Sequence, residues 1–415
     1  MPINGGLEEL KKVVEKVYLI NDPYITEVMV AAVVAHRIAA DPVWIVIVAA
    51  SGAGKSEFIN AISGLANVHS LSTITSNTFI SGMKNSGKET SLLLKIQNGI
   101  LTFKDFTTLM SEQRDERAII MAQLREIYDG KFSKVFGTGQ EVKWEGKITV
   151  IAGATYAIHT LRQTYTAMGE RFIMYNMEQP PPIDAAKRAM ENQESGKIKE
   201  MRATVATAFK KYDEQLEIPE TLLKISDALQ KDILLLAELA TRARSSVERN
   251  WKSRMQEITD VHPPEMPTRF ASQLQNFAKA LAIITYNEAN KMEVTEKQRN
   301  ILYKIALDSI TTNRRKALRE LVKYDVIETA GLATKLGFPT TTVRIWLEDL
   351  TALGIAEREK KGGGSKGDRW KIRSDYGELI RKFEHIEEKG GELVGEKNNE
   401  EDSQNSDPYP KLPDF

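Results

Sequence analysis

Cysteine is absent from this 415-residue chain. That excludes a disulfide framework, a thiolate metal site and a cysteine nucleophile. Histidine is scarce as well, with five in all, which leaves little room for an imidazole metal cluster. No long apolar run occurs. The most apolar stretch, 25–50, is interrupted by His36, Arg37, Asp41 and Pro42, so no uncharged segment reaches the ~18 residues of a membrane span. The N-terminus, MPINGGLEELKKVVEKV, is charged and helical in pattern. It lacks the apolar core and cleavage site of an export signal. A cytoplasmic chain with no membrane partner is expected. Net charge is missing too: 57 Lys and Arg balance 57 Asp and Glu. The balance hides a gradient. From Glu384 to Phe415 there are ten acidic and three basic side chains, a net of −7, so the rest of the chain carries +7. A mildly basic body with an acidic tail can meet a polyanion that the whole-chain sum would argue against.

What is present is organised in blocks. Residues 7–40 read as two helices broken at Asn21-Asp22-Pro23. WIVIVAA (44–50) is a short β-branched run between Pro42 and Gly52, the look of a buried parallel strand. NGILTFKDF (98–106) and KITVIAGAT (147–155) have the same character, and helical pattern lies between them, notably RAIIMAQLREIYDG (117–130). Strands alternating with helices imply an α/β domain with a mostly parallel sheet. After Tyr175 the pattern changes. QPPPID (179–184) ends the sheet region, and from Ala185 to about Ala306 only helical periodicity is visible. Four regions follow: 1–178, N-terminal helices and an α/β core; 179–311, a helical lid; 312–383, a smaller unit; and 384–415, an acidic tail too poor in core residues to fold.

The strongest motif is Ala49-Ala50-Ser51-Gly52-Ala53-Gly54-Lys55-Ser56, between strand WIVIVAA and the helical segment SEFINAI. It matches the phosphate-binding P-loop with alanine in the first glycine position. Glycines let backbone N–H groups curl around phosphates, and the following helix N-terminus favours an anion. Lys55 would reach the β- and γ-phosphates of ATP, and the Ser56 hydroxyl would ligate Mg²⁺. Asp105, at the end of the next apolar strand, fits the Mg²⁺ partner; it also fits an N-cap for FTTLMSEQ. Thr155, ending the third strand, fits a contact to the γ-phosphate or a simple turn residue.

This order of motifs, followed by Gly169-Glu170-Arg171-Phe172 and a helical lid, resembles an AAA+ ATPase. DPVWIVIV (41–48), LSTITSNTFISG (71–82) and LREIYDG (124–130) resemble a group of ATPases of phages and mobile elements that commonly carry a C-terminal winged helix. The resemblance implies ATP and Mg²⁺ as cofactors. It also implies an arginine finger at Arg171, which would make the protein a homo-oligomer such as a hexameric ring. Arg269, in PTRFASQL (267–274), resembles the second sensor that leans on the γ-phosphate; Arg242 and Arg244 compete for the role. Where many such ATPases carry a glutamate after the acidic strand end, this chain has Phe106. Glu112, Asp115 and Glu116 remain as sources of a base. KFSKVFGTGQEVKWEG (131–146) reads as a β-hairpin. Replicative helicases of the minichromosome-maintenance class carry a DNA-gripping hairpin in the corresponding place. That similarity implies Lys134 and Lys143 as DNA contacts, with Phe136 and Trp144 packing or stacking; a solvated structural hairpin is the other reading.

The unit 312–383 has its own logic. ETAGLATKLG (328–337) is a short helix ending on glycine, and Phe338-Pro339 makes a turn. Thr340 to Leu353 is a second helix with Val343, Leu347, Leu350 and Leu353 on one face. Strand, glycine-rich basic loop and strand follow in EKKGGGSKGDRWKI (359–372). That is a winged helix-turn-helix pattern. Thr341 and Arg344 suit phosphate and base-edge contacts, and the wing offers Lys360, Lys361, Lys366 and Arg369. From Asn313 to Phe383 sixteen basic side chains outnumber ten acidic ones, so DNA is the expected partner. The acidic tail is a place for replication proteins to bind. A DNA-bound motor acting as helicase, helicase loader or initiator is expected. An ATP-switched transcription regulator, or a scaffold that binds ATP and hydrolyses little, is the alternative.

Overall fold

The computed structural model describes residues 6–81, 91–110, 112–137, 139, 141–162, 171–219, 221, 224–253, 256–359 and 367–384. Two helices come first, α1 (Gly6–Val17) and α2 (Ile25–Arg37). The break between them falls at 21–23 as the sequence indicates. There the Asp22 carboxylate accepts the N–H groups of Tyr24 and Ile25 at 2.9 and 3.0 Å and closes the turn into α2. The α/β region follows: β1 (Trp44–Val48), α3 (Lys55–Ile62), β2 (Val68–Leu71), α4 (Leu92–Ile96), β3 (Gly99–Phe103), α5 (Phe106–Met110), α6 (Arg114–Tyr128), β4 (Lys131–Val135), β5 (Glu141–Glu145), β6 (Ile148–Ala154), α7 (Ala157–Arg162) and β7 (Phe172–Asn176). A largely helical stretch comes next: α8 (Pro182–Glu194), α9 (Ile198–Gln215), α10 (Asp227–Ala243), β8 (Val247–Arg249), β9 (Ile258–Val261), α11 (Thr268–Ala289) and α12 (Glu296–Asp308). The last unit is α13 (Thr312–Leu321), β10 (Ile327–Glu328), α14 (Thr329–Leu336), α15 (Thr340–Ala352), β11 (Ala356–Glu359), β12 (Arg369–Ile372) and α16 (Ser374–Glu384).

Five strands form one parallel sheet in the order β2-β3-β6-β1-β7. Its inner strands β3, β6 and β1 are buried at every residue. That burial explains their unbroken apolar runs, since both faces are covered. One face carries α2, α3 and, beyond them, the helices α9–α12 in a single core. The other face packs against α4, α6 and the β4–β5 hairpin. Trp44 shows how the second face closes. Its indole N–H donates to the Ile148 carbonyl at 2.7 Å, and its ring meets Tyr128 and Phe172 at 5.2 and 5.0 Å.

Three of the five strands are the three apolar runs of the sequence. The edge strand β2 and the outer strand β7 were not foreseen. VHSL in β2 is only half-buried and lacks an apolar run. The region 185–306, expected to be helical apart from breaks at Pro219 and 262–267, contains the antiparallel hairpin β8–β9. Its strands are three and four residues long, too short to leave a period. The last unit has the two helices and hairpin read from its sequence, with β10 added to make a three-stranded antiparallel sheet, β10-β12-β11. Among the described residues no helix is long and apolar enough to cross a membrane.

His36 joins α2 to the sheet, its Nδ1 lying 3.1 Å from the Thr149 hydroxyl. Burial, with help from Lys147 and Arg37, pulls its pKa from 6.5 down to about 4. The unfolded chain therefore binds a proton first, and the stability held above pH 6.5 is lost as pH falls towards 4. His36→Gln keeps a hydrogen-bonding side chain without that proton. Its unfolding free energy in denaturant titrations should fall less between these pH values, by about 1–3 kcal/mol, than that of the parent chain.

Candidate functional site

At the end of β1 the Ala49 N–H donates to the Ala154 carbonyl at 3.1 Å, and the Met177 N–H donates to the Val48 carbonyl at 2.9 Å. The chain then turns through Ala50, Ser51, Gly52, Ala53 and Gly54 into α3. Gly52 and Gly54 have φ of +80° and +87°, a region only glycine enters without strain. A Cβ at either would meet nothing within 4 Å, so conformation and not crowding demands glycine here. Lys55 folds back across the loop, its Nζ donating to the Ala50 carbonyl at 3.2 Å. Burial lowers the lysine pKa, and Asp105 opposes the shift, so Asp105 lies within electrostatic reach. Ser56 stands half-buried on the first turn of α3.

Strands β3 and β6 bring the next two residues to the same edge. Asp105 is exposed two residues past β3, and its carboxylate accepts the Thr107 N–H at 3.0 Å. It therefore closes the start of α5 while lying within electrostatic reach of the lysine. The Thr107 hydroxyl accepts the Thr155 N–H at 2.8 Å and lies 3.2 Å from the Thr155 hydroxyl. This tie joins the acidic strand end to the polar one. Gly153 permits it, because a Cβ there would sit 2.7 Å from the Lys104 carbonyl and 2.9 Å from Ile59. The donor set fits nucleotide chemistry. Loop N–H groups, a helix N-terminus and Lys55 suit a polyphosphate. Ser56 and Asp105 offer the hard oxygens that Mg²⁺ takes. Of the three base candidates, Glu116 accepts the Ser76 N–H at 2.7 Å, while Glu112 is exposed between α5 and α6 and Asp115 is exposed in the first turn of α6.

The two arginines expected at a nucleotide lie elsewhere. Arg171 immediately precedes β7, whose first residue Phe172 is level with Trp44. It therefore stands at the opposite edge of the sheet, a strand length of about 16 Å from the loop. It is buried, and its guanidinium donates to both Asp129 oxygens at 3.2 and 2.9 Å. Arg269 belongs to that same edge. On its helix, Gln273 donates to the Arg171 carbonyl at 2.6 Å and Asn276 to the Asp41 carbonyl at 3.1 Å. Burial raises the Tyr128 pKa, and Arg269 and Arg171 both pull it the other way. α11 thus starts at the end of the sheet opposite this chain's loop, a direction that spacing along the chain does not encode. Arg244 is buried against Glu265 and Phe270, and Arg242 pairs with Glu238 at 2.9 Å.

A polar cluster beside the loop was missed. Asn176 ends β7 level with Val48. Its N–H and its side-chain amide donate to Asp308 at 2.8 and 2.9 Å, and His159 Nε2 lies 3.2 Å from its Oδ1. Lys304 donates to the Asn176 carbonyl at 2.7 Å and to Asp308 at 3.1 Å; Arg315 donates to Asp308 at 2.8 Å. Only the Lys304–Asp308 spacing, four apart on a helix, was a signal in the sequence.

The DNA candidates are mixed. Lys134 donates to the Ser76 carbonyl and Asn77 at 3.4 and 3.2 Å. Lys143 is exposed but pairs with Glu141 at 3.1 Å. Trp144 is buried, its indole donating to the Gln97 carbonyl at 3.1 Å, so it packs. Thr341 is exposed at the head of α15, while Arg344 lies 3.9 Å from Glu348. Arg369 lies 3.8 Å from Glu328. Lys360, Lys361, Lys366, Gly169, Glu170 and the tail beyond Glu384 lie outside the described residues. No protein-family model matches the chain, and comparison with curated proteins gives no match.

Gly153→Ala tests the tie between strand ends. The new methyl must displace backbone at Lys104, and such overpacking costs about 1–3 kcal/mol. A lowered melting temperature together with weaker Mg²⁺-dependent nucleotide binding is expected. A variant that melts earlier but binds nucleotide unchanged would detach Gly153 from the site.

Proposed function

We propose that this chain is a DNA-associated P-loop ATPase of the AAA+ kind, working as an oligomer in the replication of a phage or mobile element, as helicase, helicase loader or initiator. One observation carries the reading: a glycine-turned loop closed by Lys55, the Asp105 carboxylate and the Thr107–Thr155 pair converge at one edge of a parallel sheet. In this reading Lys55 holds the β- and γ-phosphates of ATP, and Ser56 and Asp105 hold Mg²⁺. The bound ion would draw charge from the phosphate oxygens. Thr155 fixes the position of the terminal phosphate or of the attacking water. Arg171, at the far edge, serves a neighbouring subunit, which makes turnover a property of the oligomer. The last unit acts as a winged helix on duplex DNA, and the acidic tail offers a docking segment to replication proteins.

A second reading, an ATP-switched transcription regulator, is favoured by the β4–β5 hairpin. Its tryptophan is buried, and Lys131 and Lys143 pair with Glu145 and Glu141 at 3.6 and 3.1 Å. That suits a structural hairpin better than one gripping DNA. Strand-displacement assays separate the two: unwinding supports the motor, and binding to a palindromic duplex without unwinding supports the regulator.

Two predictions test the site. Lys55→Ala should abolish ATP binding in calorimetry, and Asp105→Ala should weaken Mg²⁺-dependent turnover more than binding. Undiminished affinity in the lysine variant would sink the nucleotide assignment.

Arg171→Ala should bind ATP normally yet lose hydrolysis, by as much as ~10³-fold. Mixed with Lys55→Ala, it should regain part of the activity, because each variant supplies what the other lacks. Mixed oligomers without any regain would confine Arg171 to its pair with Asp129.

A further inference from the structure

The outward face of α15 is open at its head, where Thr341 is exposed, and covered in its middle. The helix turns Val343, Trp346, Leu347 and Leu350 to the core. With 3.6 residues per turn, the opposite stripe is Thr341, Ile345 and Glu348, flanked by Asp349. A helix that reads a major groove does so through its outward stripe. Here the middle of the stripe is occupied by Arg249 of β8, whose side chain is 1% exposed. Arg249 Nε and Nη2 donate to Asp349 Oδ1 at 3.0 and 2.7 Å. Nη2 also donates to the Ile345 carbonyl at 3.1 Å, and Nη1 donates to Glu348 at 3.1 Å and to the Gln256 carbonyl at 2.7 Å. A phosphate backbone and this hairpin would compete for the middle of that face.

We propose that the β8–β9 hairpin is an autoinhibitory latch: through Arg249 it holds α15 where duplex DNA is excluded, and the helix reads DNA only after the hairpin lets go. The proposal rests on the reading of the last unit as a DNA-binding module. Release is feasible because both carboxylates have other cations. Asp349 also pairs with Arg314 at 3.0 Å. Glu348 also lies 3.5 Å from Arg358 and 3.9 Å from Arg344. Undocking therefore leaves no acid uncompensated, the outcome that makes breaking most buried pairs costly. In the proposed release the hairpin moves by itself. Its root is gripped from α13, where Arg314 donates to the carbonyls of Ala243 and Ser245, and its ladder is irregular between Glu248 and Arg249. The root can stay while the arm lifts.

The test is fluorescence anisotropy of the full chain with a labelled duplex at fixed salt. A helix competent in one molecule in ten binds about tenfold more weakly than a free one. Arg249→Ala should therefore bind at least about tenfold more tightly, and adding Thr341→Ala with Arg344→Ala should erase the gain. Should Arg249→Ala not fold, amide hydrogen exchange of the parent chain decides: duplex DNA should raise exchange across Val247–Val261. Unchanged affinity in Arg249→Ala, or unchanged exchange in the hairpin, while Thr341→Ala with Arg344→Ala still weakens the parent chain, overturns the latch and leaves the DNA reading standing. Duplex binding that none of these substitutions alters overturns the DNA reading of α15 and the latch with it.

Discussion

Two backbone hydrogen bonds at the end of β1 set where everything else can act. Ala49 donates to Ala154 on one side, and Met177 donates to Val48 on the other. Between fully buried strands no water replaces a lost ladder bond, so this register has no low-cost alternative. It brings the end of β6, with Thr155, beside the start of the loop, and the end of β7, with Asn176, to the other side. β3 then follows β6, so Asp105 reaches the same edge from one strand further out. The parallel direction does the rest: every residue just past a strand gathers at one edge, and every residue just before a strand gathers at the other. Arg171 and Asp41 belong to the second group. Their distance from the loop is a property of strand direction, not of side-chain choice.

That division marks what the sequence could reveal. The loop was legible because its constraints are local: two positive-φ glycines, a strand before them and a helix after. Asp105 and Thr155 were legible because apolar runs have visible ends. The hairpin β4–β5 announced itself through alternation around Gly137 and Gly139. The place of Arg269 was not legible because it depends on which edge of the sheet α11 meets, and that is decided by Gln273 and Asn276 reaching backbone carbonyls more than a hundred residues away. The Asn176–Asp308 cluster was invisible for the same reason. β2 escaped notice as a half-buried edge, and β8–β9 because three or four residues show no period. Long-range polar contacts leave no spacing to read.

The charges divide in a similar way. Much of the surface pairing, such as Lys131 with Glu145 at 3.6 Å, is exposed and adds little stability. The buried pairs are different in kind. Arg249 with Asp349 joins segments a hundred residues apart, Asp308 with Arg315 joins two successive helices, and Arg171, itself buried, reaches Asp129 forty-two residues away. A buried pair is weak as a source of net stability, because desolvation offsets the attraction, but a misplaced partner is strongly penalised. Such pairs select one docking geometry among several that apolar contact alone would permit. In this chain they occur where β7 meets the end of α6, where β8 meets α15, and where α12 meets α13.

The last of these contacts links the two ends of the molecule's chemistry. Arg314 and Arg315 are neighbours at the start of α13 and point to different places. Arg315 donates to Asp308, which in turn holds Asn176 beside the loop. Arg314 donates to Asp349 on α15 and to the Ala243 carbonyl at the root of β8–β9. One turn of helix thus grips the edge where nucleotide chemistry is proposed and the face where DNA is proposed. Packed interiors shift between discrete arrangements and do not stretch smoothly. A change at Asn176 that displaced Asp308 would therefore be felt at Arg315, and α13 could not move to follow it without straining the Arg314 contacts. Packed side chains and hydrogen bonds in contact are one route by which coupling between sites travels. Here the contact is two adjacent arginines on one helix, each holding a carboxylate on a different side.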